Sequence, residues 1–232
     1  MKKVLFAVTT VAVIFIACSR KAPLPAAFWP LEDGNQWTTS ENYTWNVVGV
    51  SSGSSVSKTT YTVNPFIESS EGKLLWPVIA STDTSGQGVA PILSTTYYYV
   101  TEDSVYLYPD TLDKPAKAVE PNNLAVGMQW DGNLALPIQI PDLVGFSTTF
   151  PAHFEIIGDT TITVLNGTFN ALVIRIDLKP SSGAIDSAAV QWRAKDIGIV
   201  KMSTDFTTKY SIGIATFDVE ISGTSELESR NF

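Results

Sequence analysis

The chain has 232 residues, one cysteine, one histidine and a formal charge of −8 at neutral pH. An acidic chain with no basic block argues against nucleic acid as a partner, and a single cysteine excludes an internal disulfide framework and a thiolate metal site. Hydrophobic residues make up 44%, aromatic residues 11% and charged residues only 16%. That is the composition of a β protein held together by its own core.

The first element is a membrane-seeking segment. Met1-Lys2-Lys3 is a basic start, residues 4–17 are apolar apart from Thr9 and Thr10, and Cys18 follows directly. The run is too short for a permanent span, since a ~30 Å hydrocarbon core needs ~20 apolar residues, but it has the length of a secretory hydrophobic region. Its ending, Phe15-Ile16-Ala17-Cys18, resembles the lipobox of bacterial lipoproteins. The resemblance implies a signal peptide over 1–17 and an acylated Cys18 as the mature N-terminus, with lipid attachment such as palmitate. Two or three acyl chains anchor a protein stably where one does not. Ser19, with no Asp beside the cysteine, resembles the sorting pattern for the outer membrane rather than the inner one. Residues 18–27 form the acylated cysteine and a short tether, kept extended by Pro23 and Pro25.

From residue 28 the pattern is strands with little helix. Residues 42–50 alternate Tyr43, Trp45, Val47 and Gly49 with Thr44, Asn46, Val48 and Val50. Residues 58–66 set Tyr61, Val63 and Pro65 opposite Thr60, Thr62 and Asn64. Short apolar-aromatic runs follow at 73–81, 95–101 and 104–108, with loops expected at 82–91 and 110–123. Asn166-Gly167 predicts a type I′ hairpin between strands 160–165 and 168–178. In the returning strand Leu172, Ile174, Ile176 and Leu178 share one face, while the other begins with Phe169, Ala171 and Val173 and ends with Arg175 and Asp177. Residues 211–222 read as one strand, with Ala215, Phe217, Val219 and Ile221 facing a core and Thr216, Asp218 and Glu220 facing water.

Two segments echo one another: Gly34-Asn35-Gln36-Trp37 and Gly127-Met128-Gln129-Trp130. Each suits a tight turn at the glycine followed by a strand whose first inward residue is an indole. The opening Phe28-Trp29-Pro30-Leu31 with Gly34-Asn35 and Trp37, the Gly167-Thr168-Phe169 triplet, and Trp192 followed by Gly198-Ile199-Val200-Lys201 resemble a broad group of uncharacterised bacterial lipoproteins and secreted β proteins. That group is similar in outline to curved-sheet lipoprotein carriers of the periplasm. The resemblance implies fold and location, not an activity. The expected fold is all-β: an antiparallel, strongly curved sheet, or a two-layer β-sandwich or half-barrel. One β domain is expected over 28–226, with halves 28–120 and 121–226 and a tail at 227–232.

Catalytic chemistry finds little support. His153, the single histidine, has no nucleophile motif nearby, and no Gly-x-Ser-x-Gly elbow exists. Asp83, Asp103, Asp110 and Asp113 lie outside any calcium-loop pattern. Asp131, Glu155 and Asp159 are carboxylates available to a glycosidase, as in many β proteins. No phosphate loop or dinucleotide fingerprint is present. No enzyme activity, metal or cofactor is expected. The remaining signal is aromatic: Tyr97, Tyr98, Tyr99, Tyr106 and Tyr108 are candidate ligand contacts, and three consecutive tyrosines must point to both faces of a strand. Phe28 and the tryptophans at 29, 37, 45, 130 and 192 are assigned to core.

The expected function is a lipid-anchored cell-envelope domain that binds or scaffolds, with the membrane as partner through Cys18. The alternatives are a carrier or chaperone of hydrophobic lipid or lipoprotein cargo, which requires a cavity of several hundred Å³, and carbohydrate binding through the tyrosine strands. Replacing Cys18→Ser should move the protein from the detergent phase to the aqueous phase in a partition assay while leaving its circular dichroism unchanged. Full retention in the detergent phase would refute the anchor.

Overall fold

In the computed structural model the described residues are 23–84, 90–108, 117–136, 140, 148–179, 188–212 and 214–232; Cys18 and the loop residues Asp110 and Asp113 lie outside them. Thirteen strands follow in chain order. They are β1 (Gln36–Val47), β2 (Ser51–Val63), β3 (Ile67–Glu68), β4 (Leu74–Asp83), β5 (Ile92–Val100), β6 (Ser104–Tyr108) and β7 (Lys117–Pro121). The second half supplies β8 (Gln129–Ala135), β9 (Thr149–Val164), β10 (Gly167–Leu178), β11 (Ala188–Ala194), β12 (Gly198–Ile212) and β13 (Ala215–Arg230). All pairings are antiparallel, and the all-β expectation holds.

The hydrogen-bonded order is β7-β6-β5-β4-β2-β1-β13-β12-β11-β10-β9-β8, with β3 on the side of β4. Apart from that side strand, consecutive strands are neighbours, and β1–β13 is the pairing that joins the two ends of the chain. The sheet curls until its two edges meet. The carbonyl oxygen of Val119 on β7 lies 3.4 Å from where a Cβ on Gly132 of β8 would stand. The result is a nearly closed up-and-down barrel, which resolves the choice among curved sheet, sandwich and half-barrel.

The two Gly-x-Gln-Trp turns behave as their residues require. Gly34 and Gly127 have φ of +83° and +87°, a conformation open to glycine, and β1 and β8 begin at Gln36 and Gln129. Alternation along β1 then turns Trp37, Thr39, Glu41, Tyr43 and Val47 inward, all buried. Core Phe28 and the five assigned tryptophans pack on the two apolar clusters. One cluster centres on Tyr43, Val47, Ile156, Ile174, Ile176, Val219 and Ile221. The other holds Trp37, Val63, Val78, Val100, Val105 and Leu227, with Ala26 and Leu31 of the N-terminal segment. The two-faced reading of β10 is also correct: Leu172, Ile174, Ile176 and Leu178 join the first cluster, while Phe169 and Ala171 join the second.

Several local expectations are corrected. The β9–β10 turn centres on Leu165-Asn166, neither of which has positive φ; Gly167 alone does, at +133°, so the turn is not type I′. Residues 211–222 are not one strand, because β12 ends at Ile212 and β13 starts at Ala215. At that hairpin tip Ala215 is exposed, and the inward pattern sets in at Val219 and Ile221. The loop expected at 110–123 contains β7. Residues 48–50 are a turn with Gly49 at φ +79°, not the end of a strand. At the C-terminus β13 continues to Arg230 with Leu227 fully buried, so the domain does not end at 226. The described part of the expected tether is docked: Asn122 donates to Pro25 O, Ala27 N–H donates to Asn122 Oδ1, and Asp196 N–H donates to Ala27 O.

Two glycines separate close packing from open space. A Cβ on Gly223, opposite Tyr43 on β1, would stand 2.4 Å from Asn42 O and from the Tyr43 ring, whereas one on Gly158 meets nothing within 4 Å. Gly223→Ala should therefore lose about 1–3 kcal/mol through overpacking. Gly158→Ala should be neutral or gain about 0.4–1 kcal/mol by restricting the unfolded chain. Thermal unfolding checks both, at about 2–4 °C per kcal/mol for a domain of this size; equal melting temperatures for the two variants would refute the contrast.

Candidate functional site

Closing a sheet gives it an interior, and this interior is not filled. Between the two apolar clusters lies a cavity of about 410 Å³. Its apolar wall includes Trp29, Trp37, Tyr61, Tyr98, Trp130 and Phe154. Trp37 stacks on Tyr61 at 5.0 Å, Trp130 stacks on Phe154 at 5.1 Å, and Trp29 is tilted against Tyr98 at 5.0 Å. The wall also carries buried polar side chains, namely Thr39, Glu41, Glu120, Gln191 and Arg193.

Strand register places these polar groups. Glu41 stands directly across from Ser57, and Thr39 directly across from Thr59. Three hydroxyls therefore converge on one carboxylate. Thr39 donates to Oε1 at 2.7 Å, while Ser57 and Thr59 donate to Oε2 at 2.8 and 3.0 Å. Glu41 itself is 2% exposed. Burial raises its pKa above the ordinary glutamate value, and the three hydroxyl bonds offset only part of that. Burial, with the Glu41 carboxylate as a smaller addition, pushes the Tyr43 and Tyr61 hydroxyls well above the usual phenol range.

On the opposite wall, alternation along β11 turns Ala189, Gln191 and Arg193 inward, paired with Ile176, Ile174 and Leu172 of β10. Arg193 donates to Glu120 of β7 and, at 2.9 Å, to Gln191. Its guanidinium also sits 5.0 Å from the Trp29 ring centroid. Glu120 accepts a second bond from the Trp29 indole. The ion pair is almost wholly buried, at 5% and 6% side-chain exposure. Such a pair adds little net stability relative to apolar packing, because desolvation consumes the Coulombic gain.

The five candidate tyrosines are divided by the pleat. Tyr98 faces the cavity opposite Leu107, which also lines it. Tyr97 pairs with Tyr108 and Tyr99 with Tyr106 on the other face. There Tyr108 is buried, the Tyr99 and Tyr106 rings are tilted at 40°, and Lys73 lies over Tyr99. His153 sits on the exposed surface, where its Nδ1 is 2.9 Å from Asp131 Oδ1. Lys179 Nζ lies 2.5 Å from Asp131 Oδ2. Lys179 and then His153 hold the Asp131 carboxyl below its ordinary value. Glu155 pairs with Arg175 on the same surface. Among the described residues no group of three or more metal-ligating side chains is assembled.

The residues the sequence reading missed are Thr39, Glu41, Glu120, Gln191 and Arg193. Starting the first strand at residue 42 left Glu41 outside it. Carrying the alternation back from Tyr43 to Trp37 would have turned Glu41 inward and marked a glutamate at a core position. No local signal brings Glu120 and Arg193 together, since they are 73 residues apart.

Glu41 provides a pH test. The folded state holds its proton more tightly than the unfolded chain, so its contribution to stability is full below the unfolded pKa and is lost as pH rises through the raised folded value. The unfolding free energy of the wild type relative to Glu41→Gln should therefore fall as pH rises above the ordinary glutamate value of ~4, measured by denaturant titration. A flat or rising difference would contradict the assignment.

No protein-family model matches the chain, and no curated protein matches it. Among solved structures, a Parabacteroides distasonis protein described as a lipoprotein has a TM-score of 0.48 at 13% identity, over 89% of this chain and 99% of its own. An exported protein of Bacteroides fragilis with a YmcC-like fold has the same score and identity, over 90% of this chain and 100% of its own. A DUF1329 family protein of Desulfovibrio piger has a TM-score of 0.24 at 8% identity, over 88% of this chain and 87% of its own.

Proposed function

We propose that this protein is a lipid-anchored cell-envelope binding protein that holds a hydrophobic small molecule inside its curled sheet. The observation that carries the reading is the cavity of about 410 Å³, in the range of small-molecule sites. The basic start, apolar run and Cys18 support a lipid anchor at the envelope, the outer membrane by the residue after the cysteine. The docked N-terminal segment ties the barrel to that anchor: Ala26 and Leu31 are buried, and Trp29 and Pro30 help wall the cavity.

Binding accounts for the site better than turnover. Both carboxylates of the cavity are already committed, Glu41 to three hydroxyls and Glu120 to Arg193 and Trp29. The carbohydrate alternative is weaker, because the outward tyrosines form no flat, exposed platform.

Calorimetric titration of the purified mature domain with decyl-chain compounds tests the reading. A buried methylene is worth about 0.8 kcal/mol before association costs, so a decyl chain should bind with constants between about micromolar and millimolar. Saturable one-to-one binding is expected for at least one head group. Ser225→Phe, which places a ring on the cavity wall, should weaken binding at least tenfold without lowering the melting temperature by more than a few degrees. Absence of saturable binding, or equal binding by Ser225→Phe, would overturn the proposal.

A further inference from the structure

Glu41 is a buried carboxylate that no cation among the described residues answers. Among the described residues no lysine, arginine or histidine lies within ion-pair distance of it, whereas Glu120 has Arg193. The cavity wall thus carries two carboxylates against one guanidinium. Buried charge is ordinarily paired, since desolvating a lone ion is costly. The three hydroxyls that surround Glu41 are each placed as a donor to it and bring no positive charge.

The rest of the wall supplies the second half of a cation site. The stacked Trp37–Tyr61 pair and the tilted Trp29–Tyr98 pair line the same cavity as Glu41. Aromatic faces attract ammonium and guanidinium groups through the ring quadrupole, most strongly where water is excluded. The interior already contains one such contact, the Arg193 guanidinium over the Trp29 ring. Leu134, Leu136 and Met202 supply an aliphatic surface on the side of the first apolar cluster.

Resting on the reading of this cavity as a binding site, we propose that its ligand is an organic cation with an apolar body. The alkylammonium head sits against Glu41 among the aromatic rings, and the tail lies along Leu134, Leu136 and Met202. The head supplies the positive charge that the interior lacks, and the tail gains the apolar burial.

Three probes of equal chain length, held below their micellar concentrations, decide the matter: decyltrimethylammonium, decanol and decanoate, titrated by calorimetry into the wild type. The ammonium compound is expected to bind at least tenfold tighter than decanol, and decanoate weakest. Glu41→Gln should lose the preference for the ammonium compound over decanol. Equal affinities, or tightest binding of decanoate, would overturn the cation inference while leaving the cavity reading standing. Binding of none of the three would overturn both. The wild-type ranking decides without the variant, so a failure of Glu41→Gln to fold leaves the test intact, and a folded Glu41→Gln that keeps the preference refutes the role of Glu41.

Discussion

The pairing of β1 with β13 gives this protein an inside. The other principal ladders join strands that are near neighbours in the chain, and alone they would give two meanders with exposed edges. The β1–β13 ladder runs from Trp37 opposite Arg230 to Val47 opposite Val219, with one bulge between Thr38 and Thr39. It ties the first strand to the last and lets the sheet curl until β7 meets β8. The fit is close where Tyr43 covers Gly223, a position with no room for a side chain. Because this contact spans nearly the whole chain, its loop-closure entropy is lost before its burial is gained.

Closure has a chemical consequence. In an open sheet, alternation lets every second residue face water, but in a closed one those inward positions share a single enclosed volume. Val47, Val219 and Ile221 fill theirs with aliphatic groups. Thr39, Glu41, Gln191 and Arg193 do not, and with Glu120 they turn one part of the interior into a polar, aromatic-walled chamber. An all-apolar filling would stabilise the barrel more simply, since buried ion pairs and carboxylates seldom repay their desolvation. The proposed binding role gives polar groups held at this depth a use that core packing does not.

How much of this was legible beforehand follows from how local each feature is. The turns ahead of β1 and β8 were readable from Gly-x-Gln-Trp, because a glycine at positive φ and the residues after it settle the matter within four positions, although the alternation of β1 itself was followed only from residue 42. The two faces of β10 were readable because period-two alternation is a property of one strand. The end of β12 is marked only by a change of phase, from apolar residues at even positions (Tyr210, Ile212) to odd ones (Ala215, Phe217, Val219, Ile221), and reading 211–222 as a single alternation passed over it. The turn at Leu165-Asn166 was misplaced by one residue for a related reason: Asn-Gly is a strong turn signal, but the strand ladder, not the dipeptide, sets which two residues lie at the centre.

The sequence by itself determined an all-β body, the glycine turns ahead of β1 and β8 and the two faces of β10, together with a lipobox-like Cys18 in the segment ahead of it. These depend on backbone conformations and side-chain alternation that act over a few residues. Only the tertiary structure decided that Glu41 of β1, Glu120 of β7 and Arg193 of β11 wall one chamber, and that Glu41 has no cation beside it there among the described residues. Those relations depend on strand order, register and closure, whose energies come from partners far away in the chain. The alternation places a glutamate on the inner face of a strand; the closed sheet decides what that face encloses.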